Sequence, residues 1–252
     1  MTGVLSGRSA IVTGAGQGIG RGIALALAGE DAAVAVLGRT ESKLVDTCGE
    51  IERRGGRALP VVCDVRNLDE IEAAVASVVA SLGGVSILVN NAQMVPYGLV
   101  LDVTEEAVDD AWRSGPLAAL RFMRTCHPHL RGGGAIVNIG AGAGLGSGPP
   151  NLAAYGAVKA ALAMFTRSAA VQWGPDGIRA NLLLPFAASP AVAAWMESDP
   201  EGYETSMTRV PMRRIADPET DVGRAVVFLV GPDAGLITGT TLTVDGGLDF
   251  LR

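Results

Sequence analysis

The amino-acid sequence predicts an α/β fold with a doubly wound, seven-stranded parallel sheet and helices on both faces. Short β-branched runs alternate with helical patterns along the chain, which is typical of repeated βαβ units. Hydrophobic residues make up 48% of the 252 residues but aromatic residues only 4%, which favours a core of small side chains between closely packed helices and strands. No repeat, linker or charge run divides the sequence, so we expect one domain over residues 1–252.

Seven runs have the strand pattern, and six stretches between them have helical periodicity. The predicted strands are residues 9–13, 33–37, 58–63, 87–90, 135–139, 179–184 and 241–244. The predicted helices are residues 19–28, 41–53, 68–82, 105–130, 152–173 and 219–229. Right-handed crossovers place such helices on both faces of a Rossmann-type sheet, where ligands bind at the carboxyl ends of the strands.

Residues 186–215 interrupt this alternation. The segment contains several prolines and a set of large apolar residues, namely Trp195, Met196, Tyr203, Met207 and Met212. A long connection of this kind is often functional, and we interpret it as a lid over the site. Its large side chains suggest that the substrate is partly apolar. Alternatively, they pack within the lid or form a subunit contact.

The charge and the apolar runs exclude two classes of partner. The formal net charge is −6 and no basic face is evident, so we expect no nucleic-acid binding. Residues 1–7 lack the pattern of a signal peptide, and no apolar run reaches the ~18 residues of a membrane span. We therefore expect a cytoplasmic protein that acts on a small molecule and does not bind membranes.

The cysteines and histidines give no indication of a metal site. Cys48, Cys63 and Cys126 are far apart and form no C-x-x-C pair, which suits buried thiols in a reducing compartment. His127 and His129 lie near a helix end without a carboxylate or thiolate at ligand spacing, so we expect structural roles and no metal.

A glycine-rich turn follows the first predicted strand and opens the first predicted helix. Residues 13–20 read T-G-A-G-Q-G-I-G, a spacing that differs from G-x-G-x-x-G. Small residues let the backbone approach a pyrophosphate, and the helix N-terminus supplies N–H groups and a positive dipole end. The residues expected to contact it are Gly14, Gln17, Gly18, Ile19 and Gly20.

This turn resembles the T-G-x3-G-I-G signature of the short-chain dehydrogenase/reductase family, and further family motifs follow in order. They are Cys63-Asp64-Val65, Asn90-Asn91-Ala92, Tyr155-x3-Lys159, Ile237-Thr238-Gly239 and Val244-Asp245-Gly246-Gly247. The resemblance implies a bound nicotinamide dinucleotide and a homodimer or homotetramer built from the helices beside the fourth and fifth strands. It also implies cofactor contacts at Asp64, Val65, Asn90, Asn91, Ala92, Tyr155, Lys159, Pro185 and Ser189.

The end of the second strand indicates which dinucleotide is preferred. Proteins that bind NAD usually place an acidic residue there to bind the ribose 2′-hydroxyl. Here Gly38 occupies that position and Arg39 follows, so a 2′-phosphate would meet a guanidinium group and no carboxylate. We therefore expect NADP(H) to be preferred over NAD(H). Alternatively, Arg39 is a solvated residue ahead of the next helix.

Tyr155 and Lys159 lie four residues apart in a predicted helix and therefore share one face. A neighbouring ammonium and a cationic nicotinamide both favour the phenolate, so we expect them to lower the tyrosine pKa from about 10. The resemblance implies that Tyr155 exchanges a proton with the substrate carbonyl or alcohol and that Lys159 also holds the nicotinamide ribose. The alternative is a helix that merely carries both residues on one face.

The chain departs from the family pattern around the expected substrate position. The family places a serine thirteen residues before the tyrosine; counting back reaches Gly142, and aligning the strand end reaches Ala141. Neither side chain can donate a hydrogen bond. Gly115 stands where the family has an asparagine that supports a water and a proton path to the lysine, and Pro116 should kink that helix.

Two further departures replace glycines of the family pattern. Gln93 replaces the glycine of N-N-A-G, and Phe186 replaces the glycine that usually follows Pro185. Gln93, Ser147 or an ordered water are candidates for the missing donor, and Ser189 for the threonine that contacts the nicotinamide amide.

Three functions remain open from the sequence. The first is an NADP(H)-dependent oxidoreductase that reduces a carbonyl or imine through Tyr155 and Lys159. The second is a nucleotide-binding partner without redox turnover, which the loss of both polar helpers favours. The third is a lyase, isomerase or cyclase in which Tyr155 acts as acid or base and the nicotinamide is passive or absent.

Overall fold

The structure is a computed structural model and describes residues 2–145 and 150–248. Its seven strands are β1 (Ser9–Thr13), β2 (Ala33–Gly38), β3 (Arg57–Val62), β4 (Ile87–Asn90), β5 (Ala135–Ile139), β6 (Arg179–Pro185) and β7 (Thr241–Val244). All neighbouring pairs are parallel, in the order β3-β2-β1-β4-β5-β6-β7. The predicted fold class is confirmed, and each predicted strand agrees with the observed one to within about one residue at either end.

The α-helices of the described residues are α1 (Gly18–Gly29), α2 (Glu41–Arg53), α3 (Leu68–Leu82), α4 (Glu105–Ser114), α5 (Pro116–Leu130), α6 (Ala153–Trp173), α7 (Pro190–Ser198), α8 (Pro200–Arg209) and α9 (Arg224–Val230). A π-helical turn, Pro218–Gly223, precedes α9, so the helix predicted at 219–229 begins with a wider turn than expected. None of these helices combines the length and the apolar content that crossing a membrane requires.

The core lies on both faces of the sheet. On β1, Val12 packs with the helices α1 and α9, whereas its neighbour Ile11 packs with α3 and α5 on the opposite face. Both side chains are fully buried. Central strands covered by helices on both sides carry apolar residues on both faces, which is why the strands of this chain are mostly runs of apolar residues and do not alternate with polar ones.

The helix predicted at 105–130 is two helices in the structure. The α4 helix ends at Ser114, and α5 begins at Pro116, which takes the first helical position, where proline's missing N–H is tolerated. Between them, Gly115 has φ −102° and ψ −102°, outside the helical region. The predicted kink is therefore a complete break between two helices. Ser114 and Gly115, at the break, line a small cavity together with Lys159.

Residues 186–215 form a helical excursion from the end of β6, and its two ends meet. The Ala188 N–H donates to the Ala216 carbonyl at 3.0 Å, and the Ala216 N–H donates to the Phe186 carbonyl at 2.9 Å. Within the excursion, the rings of Trp195 and Tyr203 meet edge to face, 5.4 Å apart. The segment that contains α7 and α8 therefore leaves and rejoins the rest of the fold at one place, beside the carboxyl end of β6.

Candidate functional site

A cleft of about 460 Å³ opens at the carboxyl ends of the strands. Its volume is in the range of ligand sites for small molecules and cofactors. The cleft brings together ten of the predicted cofactor residues: Gly14, Gln17, Gly18, Ile19, Arg39, Asp64, Val65, Asn91, Ala92 and Ser189. These residues come from five separate parts of the chain, and the parallel topology collects them at one edge.

The glycine-rich turn has a backbone that needs glycine at two positions. Gly14 has φ +65° and Gly18 has φ +53°, a left-handed conformation that other residues adopt with strain. Gly20 has a different role, because a Cβ atom built there would overlap the Gly14 carbonyl and the Asn91 amide. Gly20 therefore lets α1 pack under the turn, whereas Gly14 and Gly18 line the cleft.

The ends of β1 and β4 are joined by a small hydrogen-bond network. The Thr13 hydroxyl accepts the backbone N–H groups of Asn91 and Ala92 at 2.9 and 3.0 Å. The Asn91 side chain donates to the carbonyls of Thr13 and Gly14 at 2.9 and 3.3 Å. These bonds hold the glycine turn against the end of β4, where Asn91 and Ala92 are predicted to contact the cofactor.

The far end of the cleft is positively charged. Arg39 and Lys43 line it beside Gly38, and both side chains are exposed. Lys43 also donates to the Gln17 side chain at 2.5 Å, which connects α2 with the glycine turn. Lys43 was missed from the sequence, although a second basic residue in the first turn of the helix that follows Arg39 was an available signal.

Asp64 has a strong partner of its own. Its carboxylate accepts from the Arg66 guanidinium at 2.8 Å, and Arg66 reaches Asp110 at 2.9 Å. The hydrogen bonds from Arg66 hold the pKa of Asp64 below its ordinary value. Asp64 therefore stays ionised and fixed at the wall of the cleft.

Tyr155 and Lys159 lie on one face of α6, as their spacing predicted. The Lys159 ammonium is 5.5 Å from the centroid of the Tyr155 ring. It donates to the Ile139 carbonyl at 2.6 Å, at the end of β5. Tyr155 is half-buried, and Lys159 is only 4% exposed. The strand end thus fixes the lysine, and the helix fixes the tyrosine beside it.

Burial sets the ionisation of this pair. It raises the pKa of the Tyr155 phenol above its ordinary value, and the neighbouring Tyr97 adds to the rise. It lowers the pKa of the Lys159 ammonium to about 7. The expected lowering of the tyrosine pKa by the ammonium is thus wrong for this structure, because desolvation disfavours the phenolate more than the lysine favours it.

The buried lysine predicts a pH-dependent stability. Unfolded lysine binds its proton up to about pH 10.5, whereas folded Lys159 loses it near pH 7. The unfolded state therefore binds more protons between these values, and the stability of the native protein rises with pH across that window. Replacing Lys159 with methionine should stabilise the protein at pH 6, by at most about 5 kcal/mol, less about 1–3 kcal/mol for the unpaired Ile139 carbonyl.

Urea unfolding at pH 6, 8 and 9.5 measures this effect. The stability difference between Lys159→Met and the natural chain should shrink as the pH rises. Lys43→Met is the control for removing an exposed lysine. A difference that stays constant from pH 6 to 9.5 would contradict the depressed pKa.

The turn after β5 contains Ala141 and Gly142, the two positions at which the resemblance leads us to expect a serine. Gly142–Leu145 form a 3₁₀ turn that packs on α6, where a Cβ on Gly144 would come within 2.8 Å of the Lys159 Cβ atom. Ala141 and Gly142 offer no side-chain donor at this place. Ser147, a candidate substitute, lies outside the described residues.

Gln93 is not free to replace that donor. Its amide nitrogen donates to the carbonyls of Met94 and Ala111 at 2.7 and 3.0 Å, so both amide hydrogens are engaged. Ser189 caps α7, because its hydroxyl oxygen accepts the Val192 N–H at 3.2 Å. Its hydroxyl hydrogen is not used by this bond.

Asn90 and Pro185 are predicted cofactor residues at strand ends. Pro185 closes β6 and pairs with Val244. Asn90 ends β4 and lines, with Lys159, a small buried cavity next to the cleft. The two cavities share Val65, Ala92, Gln93 and Ser114 as walls.

The loop after β4 lies beside the start of α6. Gly98 pairs with Leu152, and its N–H donates to the Asn151 carbonyl at 2.9 Å, just before α6 begins. This contact brings Tyr97 near Tyr155. Tyr97 is 62% exposed, and Leu99 and Val100 are also exposed. The loop therefore presents an apolar surface at the entrance to the pair.

His127 and the three cysteines, also singled out from the sequence, lie in structural surroundings. His127 contacts the Asp176 carboxylate at 2.9 Å, and its ring lies tilted against that of Trp173, with ring centroids 4.8 Å apart. The three cysteines are buried, and burial raises the pKa of Cys48 to about 11 and those of Cys63 and Cys126 to about 12.

Comparison with known proteins identifies close relatives. A family model described as enoyl-(acyl carrier protein) reductase matches residues 14–249. The chain is 39% identical to a 12alpha-hydroxysteroid dehydrogenase of a Clostridium species, over 98% of each chain. A short chain dehydrogenase from Burkholderia cenocepacia, solved in complex with NADP, is 31% identical with a TM-score of 0.90, over 98% of this chain and 99% of that one. A 7 alpha-hydroxysteroid dehydrogenase complexed with NADH and 7-oxo glycochenodeoxycholic acid is 30% identical with a TM-score of 0.92, over 98% and 97%.

Proposed function

Because the chain belongs to the short-chain dehydrogenase/reductase family, we propose that it is an NADP(H)-dependent oxidoreductase that interconverts a carbonyl and the matching alcohol. The observation that carries the proposal is the pair on α6. The buried Lys159 ammonium is anchored to the Ile139 carbonyl and lies 5.5 Å from the Tyr155 ring. Lys159 lines the small cavity that shares four wall residues with the glycine-lined cleft.

The cleft fits a nicotinamide dinucleotide. Its Gly14 and Gly18 backbone offers a close approach to a pyrophosphate at the start of α1. Asp64 and Val65 would hold the adenine end, and Asn90, Asn91, Ala92, Pro185 and Ser189 the nicotinamide end. When bound, the reduced cofactor supplies the hydride for the carbonyl carbon.

Tyr155 transfers a proton to or from the substrate oxygen. In reduction, its hydroxyl donates a proton to the carbonyl oxygen; in oxidation, the phenolate takes the proton of the alcohol. The raised pKa of Tyr155 keeps the phenol protonated at neutral pH, as the reductive direction requires. Lys159 stabilises the phenolate that remains after transfer and holds the nicotinamide ribose.

Arg39 and Lys43 provide the preference for NADP(H). Both cations line the cleft beside Gly38, the position at which NAD-binding proteins usually carry an acidic side chain. Two cations at the end of β2 suit a 2′-phosphate better than a 2′-hydroxyl. The relatives include one solved with NADP and one solved with NADH, so the local charges carry this part of the proposal.

Replacing Arg39 with alanine should raise the Kd for NADPH about 10- to 100-fold, because a charged hydrogen-bond donor to the phosphate is lost. The Kd for NADH should change little. Isothermal titration with both cofactors measures the effect, and Arg167→Ala, which removes an exposed arginine on α6, is the control. Equal affinity of the natural chain for NADPH and NADH would refute the role given to Arg39.

The substrate is partly apolar. The exposed loop residues Tyr97 and Leu99 stand at the entrance, and the 186–215 segment serves as its lid with Trp195 and Tyr203. Ser189 of the lid lines the cleft. Because the two ends of the lid pair with each other, α7 and α8 can move together. Since two relatives are named hydroxysteroid dehydrogenases, alicyclic ketones of steroid size are the first substrates to test.

The test is NADPH oxidation by the purified chain with steroid-type ketones, small ketones, aldehydes and imines. We expect turnover, with the best kcat/KM on bulky apolar ketones. If NADPH binds but no substrate is reduced, the chain is the nucleotide-binding partner instead, which the lack of a hydroxyl at Ala141 and Gly142 favours. Product formed without any change in NADPH would indicate the lyase, isomerase or cyclase alternative.

Assembly and location complete the proposal. A homodimer or homotetramer would use α4 and α5, and α4 leaves Val108 and Trp112 partly exposed. Three buried free thiols suit the reducing cytoplasm, which we propose as the compartment.

A further inference from the structure

A small polar chamber lies behind the catalytic pair. It is a buried cavity of about 10 Å³ whose polar walls are Thr13, Asn90, Gln93, Ser114 and Lys159. This volume is at the lower limit for one water molecule. The chamber lies at the break between α4 and α5, where Gly115 forms part of the wall.

The Gln93 carboxamide fills the space that a side chain at position 115 would need. A Cβ atom built on Gly115 would overlap the Gln93 Oε1 atom and lie 2.8 Å from its Cδ atom. The Gln93 amide nitrogen donates to the carbonyls of Met94 and Ala111, and these two acceptors fix which end of the amide is nitrogen. Its Oε1 is buried and has no hydrogen-bond partner within the described chain.

A second buried oxygen faces the same chamber, and its orientation is fixed by a chain of donors. The Thr166 hydroxyl donates to the Leu162 carbonyl at 2.7 Å and accepts from the Asn138 amide at 2.8 Å. The Asn138 oxygen in turn accepts from the Asn90 amide at 2.8 Å. This leaves Asn90 Oδ1 as a buried acceptor without a partner among the described residues.

Of the other polar residues in the chamber wall, Ser114 and Thr13 already have hydrogen-bond partners, whereas Lys159, in the described part of the chain, has hydrogens to spare. Ser114 donates to the Asp110 carbonyl and accepts the Met94 N–H, and Thr13 has three partners. Within the described chain, Lys159 uses one ammonium hydrogen, on the Ile139 carbonyl. Two acceptors and one donor with spare hydrogens therefore surround a space for one water, and leaving buried acceptors unpaired is costly.

We propose that Gln93 is a positioning residue for Lys159, and that Gln93 and Gly115 form one unit. The Gln93 carboxamide occupies the volume that residue 115 vacates, and one ordered water in the chamber donates to Gln93 Oε1 and Asn90 Oδ1 while accepting from the Lys159 ammonium. The inference rests on the role proposed for Lys159, but its test observes the lysine itself without cofactor or turnover. The two departures from the family pattern, 22 residues apart in sequence, thus compensate one another.

The chain has only two lysines, Lys43 and Lys159, so protein labelled with carbon-13 lysine gives two side-chain signals to titrate. Within the described residues, Lys159 is the only ionisable group that lines the chamber. The Tyr155 ring, also on α6, lies next to the Lys159 ammonium. Gln93→Met keeps the volume but removes the amide. Losing the oxygen that holds the water should lower the pKa of Lys159 by about one pH unit. Gln172→Met, the same change at an exposed position of α6, should leave it unchanged.

The spatial part of the proposal has its own test. Gly115→Asn should lower Tm by several degrees, because two carboxamides compete for one volume. The double variant Q93G/G115N should recover the Tm and the Lys159 pKa, since it supplies the carboxamide from the other side. Gly49→Asn is the control, because a Cβ there meets nothing within 4 Å.

An unchanged Lys159 pKa in folded Gln93→Met would overturn the proposal, as would a double variant no more stable than Gly115→Asn alone. If Gln93→Met does not fold, the double variant decides. A high-resolution crystal structure of the natural chain should contain the water on the three named partners; a dry chamber would refute it. Activity plays no part in these outcomes, so a failure of the proposed function remains distinguishable.

Discussion

Replacing Tyr155 with phenylalanine should lower kcat for carbonyl reduction by about 10²- to 10⁴-fold, the usual contribution of a positioned general acid. Phenylalanine keeps the ring that lies 5.5 Å from the Lys159 ammonium and removes only the hydroxyl. The hydride can still be delivered in the variant, but the carbonyl oxygen receives no proton from the enzyme. NADPH binding should persist, because the cleft residues that would hold the nucleotide are unchanged.

The measurement compares kcat, KM and the Kd for NADPH in the natural chain and in Tyr155→Phe. Tyr97→Phe is the matched control, because Tyr97 is a neighbouring tyrosine that we place only at the entrance. That control should leave kcat within a few-fold. If Tyr155→Phe retains full kcat, the phenol takes no part in the reaction and the proposed mechanism is wrong.

Much of the fold could be predicted because local pattern and tertiary burial agree. The central strands β1, β4 and β5 are buried along their whole length and consist mostly of apolar residues, so their limits lie within about one residue of the apolar runs, apart from Asn138 inside β5. The two-helix structure over 105–130 was less predictable, because Pro116 signals a disturbance but not its size. Whether a helix bends or ends there depends on Gly115 and on what packs against it.

The candidate site likewise has features that local sequence predicts and features that depend on tertiary packing. The glycine turn and the Tyr155–Lys159 spacing are local, and their placement followed from sequence. The direction of the Tyr155 pKa shift was not local, since it depends on how far the surrounding elements bury the phenol. Gln93 shows the same limit: a glutamine at a strand end gives no sign that its amide fills the space beside Gly115.

The missing hydroxyl gives the final prediction, which is a gain of activity. Installing a donor at Ala141 should raise kcat about 10- to 100-fold, somewhat less than the 10²- to 10³-fold that removing such a donor costs in comparable sites, because the new hydroxyl is not preorganised. Ala141 lies two residues beyond Ile139, the last residue of β5, whose carbonyl anchors Lys159. A serine there extends from the same strand end that orients the lysine.

Gly142→Ser is the matched control, because it adds the same hydroxyl one residue later, at the first position of the 3₁₀ turn that packs on α6. We expect Ala141→Ser to gain and Gly142→Ser to gain little, with kcat/KM for a ketone as the measurement. The gain should vanish when Ala141→Ser is combined with Tyr155→Phe, because a stabilised carbonyl oxygen still needs its proton. If neither serine increases turnover, the substrate carbonyl does not lie against the β5 end, and the chain has taken another way to hold it.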